Sequence, residues 1–328
     1  MALIRKIAWL PALLSMFVPL AGCASAPTPL CRTGIYLDTV VTLSLYDTQD
    51  PAILDTCFEK IADWENLFSR TREGSDVSRI NQAAGQPVTV DAETARLLAI
   101  GLEYGKKTGG ALDITIAPAS SLWDFQEESP AIPDGQKLQQ AASHVDWQTV
   151  RLDGQTVQLI DPQAQIDLGA IAKGYIADGL AAYLREQGIG RALLDLGGNI
   201  YALGDKNGQP WTVGIRDPLD GDGLAATVPV RDGSVVTSGI YERGFERDGV
   251  RYHHLLDPHT GWPVQNGLAS VTILSASSVE GDALSTACFV LGEVDGLALI
   301  EKTEGAEALF IRTDGTQVRS SGFPAEAS

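Results

Sequence analysis

Three groups of residues in this chain have the types and spacing to do chemistry. The stretch Asp167-Leu-Gly-Ala170-Ile-Ala-Lys173-Gly enters a helical pattern, with Ile171, Tyr175, Ile176, Leu180 and Leu184 on one face. A helix start near Ala170 preceded by glycine leaves backbone N–H groups open to an anion, and Lys173 adds a full positive charge, which is a phosphate-binding design. The same pattern also serves an ordinary loop-to-helix entry with a solvated lysine. Farther on, Ser277-x-x-Glu280 forms a capping box, and Asp282 and Thr286 follow four residues apart on one face of the helix it opens. A carboxylate and a hydroxyl so stacked can reach one hard cation such as Mg²⁺, with further oxygens from backbone carbonyls, water or a substrate phosphate. A helix-surface hydrogen bond between Asp282 and Thr286 is the simpler reading of that spacing. Three of the four histidines fall in RYHHLLDPHTGWPV, Arg251 to Val264. His253 and His254 are adjacent in a strand-like run, so at most one faces a given cleft, and either can be purely structural. Asp257-Pro258 and Thr260-Gly261 are turn formers.

These groups need elements to position them. Thr33 to Asp47 alternates as a strand pair or one long strand. Asp50-Pro51 opens a helix that buries Ile53, Leu54, Phe58, Ile61, Trp64 and Phe68 and ends near Arg70. A second helix starts at Ser75 or Asp76, and a third runs from Asp91 to Lys107, stopped by Gly109-Gly110. Leu112 to Leu122 reads as extended or loop and holds Asp113 just past that stop. Residues 127–135 form a surface excursion. After a short helix, strands follow near Thr149 to Leu152 and Thr156 to Ile160, with a turn at Asp153-Gly154. Arg191 to Leu196 is a buried strand, and Gly197-Gly198-Asn199 a tight turn. Trp211 to Arg216, Ala225 to Val230 and Ser234 to Thr237 read as a meander.

A formal net charge of −18 argues against non-specific nucleic-acid binding, which needs clustered Lys and Arg. No P-loop pattern occurs. The N-terminus carries Arg5 and Lys6 before an apolar run, Ile7 to Leu20, that is short for a membrane span and reads as a signal peptide over residues 1–22. It ends Leu20-Ala21-Gly22-Cys23, which resembles a bacterial lipobox; Cys23 is then the lipidated N-terminus of a protein held on the outer face of a membrane by the linker 23–32. Cys31, Cys57 and Cys288 allow at most one disulfide and match no zinc or CxxC spacing. The tail 316–328 is expected to fray.

In order, DLGAIAKGY, LLDLGGNIYALG, TSGIYERGF, HHLLDPHTGWPV and GDALSTACFVLG resemble the ApbE family of FAD:protein FMN transferases, with ALDITIAP and SDVSRIN matching upstream. The resemblance spans about Thr33 to Thr313. It implies a mixed α/β fold with a T-fold-like core, a single catalytic unit over residues 33–315 around an FAD cleft. It further implies Mg²⁺-dependent transfer of FMN to a Ser or Thr of an acceptor protein bearing a D-G-x-[ST]-G-A-[ST]-like sequence, often in a membrane redox complex. By position, Leu37, Ala111, Leu112, Asp113, Asp167, Lys173 and Leu255 would contact the flavin nucleotide. The Ala170 carbonyl, Asp282 and Thr286 would hold the metal. His254 would be the base and Lys173 would support charge on the pyrophosphate. Asp257 would orient His254 or only shape its turn. The chain departs from many relatives at Leu37, where they carry Met, at Thr71, where they carry a stacking Tyr, and at Val279, where some carry an acid. The change at Thr71 keeps open a reaction in which water replaces the acceptor and FAD is cut to FMN and AMP.

Overall fold

The computed structural model describes residues 28–324 apart from Gln126, Glu128 and Asp222. The signal peptide and Cys23 lie outside the described residues.

The alternation at the start resolves into a hairpin: β1 (Leu30–Tyr36) and β2 (Thr39–Leu45) are joined by Leu37 and Asp38, both at positive φ (54° and 56°). That two-residue turn has the twist antiparallel strands prefer. Helix α1 (Pro51–Phe68) begins where expected, capped by the Asp50 carboxylate, which accepts the Ala52 N–H at 3.0 Å. Leu54, Phe58, Ile61 and Phe68 are buried, Ile53 and Trp64 half-buried. Helix α2 (Asp76–Gln82) is capped by Ser75, and α3 (Ala92–Lys107) by Asp91. Between them lies the two-residue strand β3 (Val88–Thr89), which pairs with β5 (Thr156–Leu159); β5 in turn pairs with β4 (Val150–Asp153). The short helices α4 (Ala117–Ser120) and α5 (Gly135–Ala142) flank the acidic excursion.

The principal sheet has eight strands in the order β1-β2-β6-β7-β10-β13-β14-β15, every neighbouring pair antiparallel. Its later members are β6 (Ala192–Leu196), β7 (Asn199–Leu203), β10 (Gly233–Gly239), β13 (Leu268–Ser275), β14 (Glu307–Arg312) and β15 (Gln317–Arg319). β8 (Trp211–Arg216) and β9 (Leu224–Val230) form a separate hairpin, and β11 (Gly244–Arg247) with β12 (Val250–His253) another. The meander expected over residues 211–237 is therefore corrected: β10 leaves the β8–β9 hairpin to pair with β7 and β13, a long-range choice that local alternation does not encode. The frayed tail is corrected for its described residues, since β15 adds an edge strand and the Ser320 N–H donates to the Ala308 carbonyl at 3.0 Å.

Both faces of the sheet are covered. On one, α6 (Ala172–Glu186) and α7 (Ser278–Ile300, broken at Gly292 with φ 81°) pack over a core that includes Leu43, Leu194, Val271, Ile273 and Phe310. On the other, the β8–β9 hairpin covers Val235, Leu309 and Ile311 with Trp211, Ile215 and Val228. Successive residues of one strand thus feed different cores, as the pleat requires. Helix α7 is long and apolar enough to cross a bilayer, yet half of its most apolar window is buried within the fold, which makes it a core helix. Cys31, Cys57 and Cys288 are all free; Cys57 and Cys288 are buried, and burial pushes each thiol up to about 12.

Candidate active site

The site is built where the N-terminal ends of α6 and α7 meet. Helix α6 begins at Ala172, two residues beyond the expected start, because Leu168 to Ile171 close a tight turn in which Ile171 and Ala172 both donate to the Leu168 carbonyl. The Gly174 N–H, one of the donors a helix start leaves unpaired, points across to α7 and donates to Asp282 Oδ2 at 2.9 Å. Lys173 Nζ stands 3.4 Å from Asp282 Oδ1. Asp282 is only 3% exposed, and burial raises its carboxyl against the pull of Lys173 and the Gly174 N–H. The buried amide of Asn199 also faces this carboxylate and lowers its pKa.

A reciprocal cap locks the two helices. Asp178 of α6 accepts from Ser277 Oγ (2.8 Å), Ser278 N (2.7 Å) and Val279 N (3.0 Å), satisfying the free donors of α7. The expected hydrogen bond between Asp282 and Thr286 is corrected by this geometry. Asp282 turns inward to α6, and Thr286 Oγ1 lies 3.3 Å from Ser238 Oγ, which also bonds Ser285 Oγ at 2.9 Å.

His254 reaches the same region from β12. Its Nε2 is 3.9 Å from Glu242 and its Nδ1 3.4 Å from the Arg243 carbonyl. Burial pushes the ring down to about 4, with Arg243, His253 and Lys173 adding to the effect, so the imidazole is neutral near pH 7. Glu242, beside it and partly exposed, is pushed up to about 7, mainly by desolvation and partly by Asp282, while Lys173 pulls it down. His253 points the other way, as adjacent strand residues must: its Nε2 bonds the Val264 carbonyl at 3.0 Å, and its ring meets Phe289 edge-on. Asp257 serves its own turn, accepting from His259 N (2.9 Å) and Thr260 Oγ1 (3.1 Å), so it shapes the turn and makes no bond to His254.

The other residues expected at the site fall largely on two segments that run side by side. The Asp167 N–H donates to the Ile114 carbonyl at 2.8 Å, and Ile116 bridges Gln165. Asp113 is buried and spends both oxygens on the fold: Oδ1 accepts from Thr115 N (2.8 Å) and Oγ1 (2.6 Å), Oδ2 from Trp147 N (2.9 Å). Its carboxylate thus orders the turn that follows Ala111 and Leu112. Asp167 accepts the Gly169 N–H at 2.9 Å and pairs with Arg70 at 3.2 Å, a basic partner not foreseen from the sequence. Leu37 sits in the β1–β2 turn with its N–H on Glu65 (2.9 Å), and Leu255 is buried just beyond His254. Thr71 is exposed and its N–H bonds Ser69 Oγ at 3.3 Å.

Sequence reasoning assigned no role to Glu242. A signal was present: Asp248-Gly249 is a favoured two-residue hairpin turn, and both residues have positive φ. Counting back from it pairs Gly244 with His253 and brings Glu242 and Arg243 up to His254.

Among the described residues no three His, Cys, Asp or Glu side chains converge on a point. A cation here would need a mixed oxygen set. The donor chemistry suits one: the Asp282 carboxylate is desolvated and faces one ammonium and one N–H, and Ser285 Oγ, which donates to the Asp282 backbone carbonyl at 3.0 Å, is linked through Ser238 to Thr286. These are hard donors of the kind Mg²⁺ takes.

Residues 37–310 match the model of the ApbE family. The chain is 40% identical to the FAD:protein FMN transferase of Treponema pallidum, over 89% of this chain and 87% of that protein. It is 37% identical to one from Klebsiella pneumoniae, over 88% and 91%. Among solved structures, the ApbE protein of Thermotoga maritima superposes with a TM-score of 0.82 at 33% identity, covering 90% of this chain and 97% of that one. The flavinyl transferase ApbE of Pseudomonas stutzeri gives 0.81 at 29% identity, covering 92% and 98%. The chain belongs to the ApbE family.

Proposed function

We propose that this protein, like the relatives named FAD:protein FMN transferase, moves FMN from FAD to a protein, with a Ser or Thr hydroxyl as the acceptor group and AMP as the leaving group. The observation that carries the reading is the cluster in which Lys173 and the N-terminal end of α6 meet the buried Asp282 carboxylate beside a neutral His254. A pyrophosphate laid there would meet the Lys173 ammonium and the positive end of the helix dipole. Mg²⁺, held by the Ala170 carbonyl, Asp282 and Thr286, would supply the charge neutralisation that an acidic protein lacks.

The chain's own residues do the rest. Lys173 stabilises charge gathering on the pyrophosphate oxygens. His254, neutral with Nε2 free, accepts the proton of the attacking hydroxyl. The hydroxyl oxygen bonds the FMN phosphorus, and the cleaved P–O bond leaves with AMP. Ala111, Leu112, Asp113, Asp167, Leu255 and Leu37 line the nucleotide in this reading. The acceptor carries a D-G-x-[ST]-G-A-[ST]-like segment, as in a subunit of a membrane redox complex, and a lipid on Cys23 holds the enzyme on the outer face of the same membrane.

The test uses the soluble form from Ala24 with FAD and Mg²⁺, with and without a protein carrying the acceptor segment. Flavin fluorescence on the acceptor together with AMP, both lost with EDTA, is the expected result. AMP without a labelled acceptor would replace transfer by FAD hydrolysis, and absence of both would end the enzymatic reading.

A further inference from the structure

The segment Gly239–Arg243, between β10 and β11, is fixed on several sides. Ile240 donates to the Ala269 carbonyl at 3.0 Å, and Arg251 NH2 donates to the Ile240 carbonyl at 3.2 Å. The Arg216 guanidinium lies 5.3 Å from the centre of the Tyr241 ring. Gly239 has room for no side chain, because a Cβ there would stand 2.5 Å from that ring. Opposite, β12 is held in register by β11, and the His254 N–H donates to the Arg243 carbonyl at 3.2 Å. The same carbonyl faces His254 Nδ1 at 3.4 Å. A carbonyl only accepts, so Nδ1 carries the hydrogen and Nε2 the free lone pair. The Glu242 carboxylate lies 3.9 Å from that Nε2, and Asp257, the other acid nearby in sequence, is engaged in its own turn.

Resting on the transferase reading, we infer that Glu242 is the carboxylate partner of His254, a positioning residue that stabilises the imidazolium formed when Nε2 takes the acceptor hydroxyl's proton. The hydroxyl's electron pair becomes the new O–P bond, the electron pair of the broken P–O bond leaves with AMP, and His254 later returns its proton to water. Glu242 gains and loses no bond. Its charge matters only while the ring is positive, at an ion-pair distance between two partly exposed side chains. It should therefore act on kcat and leave FAD binding unchanged.

Wild type, Glu242→Gln, Glu242→Asp, His254→Asn and the double variant E242Q/H254N would be compared for kcat, for KM of FAD, and for FAD affinity by flavin fluorescence. Glu242→Gln keeps the shape and loses the charge; its kcat should fall roughly 10- to 100-fold while KM for FAD stays within about twofold. Glu242→Asp should lie between Gln and wild type. The double variant should be no slower than His254→Asn alone, because the carboxylate has nothing to stabilise without the ring. An unchanged kcat in Glu242→Gln, a change confined to KM, or losses that multiply in the double variant would overturn the inference while leaving the transferase reading intact. A wild type that releases no AMP would overturn the transferase reading, and this one with it.

Discussion

Gly174 of α6 meets the backbone of Ser278 of α7 so closely that a Cβ on residue 174 would stand 2.3 Å from the Ser278 carbonyl oxygen and 2.6 Å from Val279 Cα. The contact brings the Gly174 N–H onto Asp282 and lets Asp178 cap α7 from the side. Helix packing and site geometry are here one feature.

Gly174→Ala tests that contact. The methyl group has no flexible side chain to push aside, only backbone, so the variant should lose about 1–3 kcal/mol of stability through overpacking. Because the helices must part, FMN transfer should fall as well. Urea unfolding gives the first readout and AMP release the second; a midpoint equal to wild type would show that the helices separate freely.

Asp282→Asn separates stability from function. The amide oxygen can still accept the Gly174 N–H, and the change removes a desolvated charge whose burial opposes folding. We expect a urea midpoint at or above wild type, with FMN transfer reduced by about 100-fold or more at the Mg²⁺ concentration that suffices for wild type, and a raised Mg²⁺ requirement. An unchanged dependence of transfer on Mg²⁺ concentration would take Asp282 out of the metal site.

His254→Asn should remove a factor of about 10² to 10⁴ from transfer while FAD still binds, since the base acts only as the hydroxyl attacks. Flavin binding followed by fluorescence, beside gel-resolved labelling of the acceptor, separates the two. Labelling at the wild-type rate would dismiss His254 as the base.

His253 gives the pH dependence of the fold. Burial holds its ring at about 4, below the ordinary value of 6.5 for a histidine. Between those values the unfolded chain binds more protons than the folded one, so this group's contribution is lost as pH falls from 6.5 toward 4, by up to about 1.4 kcal/mol per pH unit. His253→Gln lacks the titration. Urea curves at pH 7, 6 and 5 should show wild type losing stability relative to the variant at each step; parallel behaviour would mean that the ring is not held neutral.

Most of the local structure was legible because it is written in caps and turns. Asp50-Pro51, Ser75, Asp91 and Ser277 each cap the helix assigned to them. Gly197-Gly198 turns β6 into β7 with φ of 65° and 89°. The helix carrying Asp282 and Thr286 was legible, but the partner of Asp282 proved to be Lys173, 109 residues earlier. No local pattern carries such a pairing. Arg70 against Asp167 and the departure of β10 from its neighbouring hairpin were missed for the same reason. Glu242 is different, since the Asp248-Gly249 turn fixes its register with His254 and could have been counted from the sequence.

The Asp178 cap on α7 also says when in the life of the chain the site comes into being. Its hydrogen bond to the Ser278 N–H joins residues 100 apart in sequence, and the strands β6, β7, β10 and β13 must pair across that interval. Closing such a loop is a slow, late event, because its entropy is lost before any contact repays it. The candidate site is therefore among the last parts of the molecule to exist. A chain emerging unfolded would pass any store of flavin without binding it, and ligand present at the moment of closure would hold the finished fold by mass action.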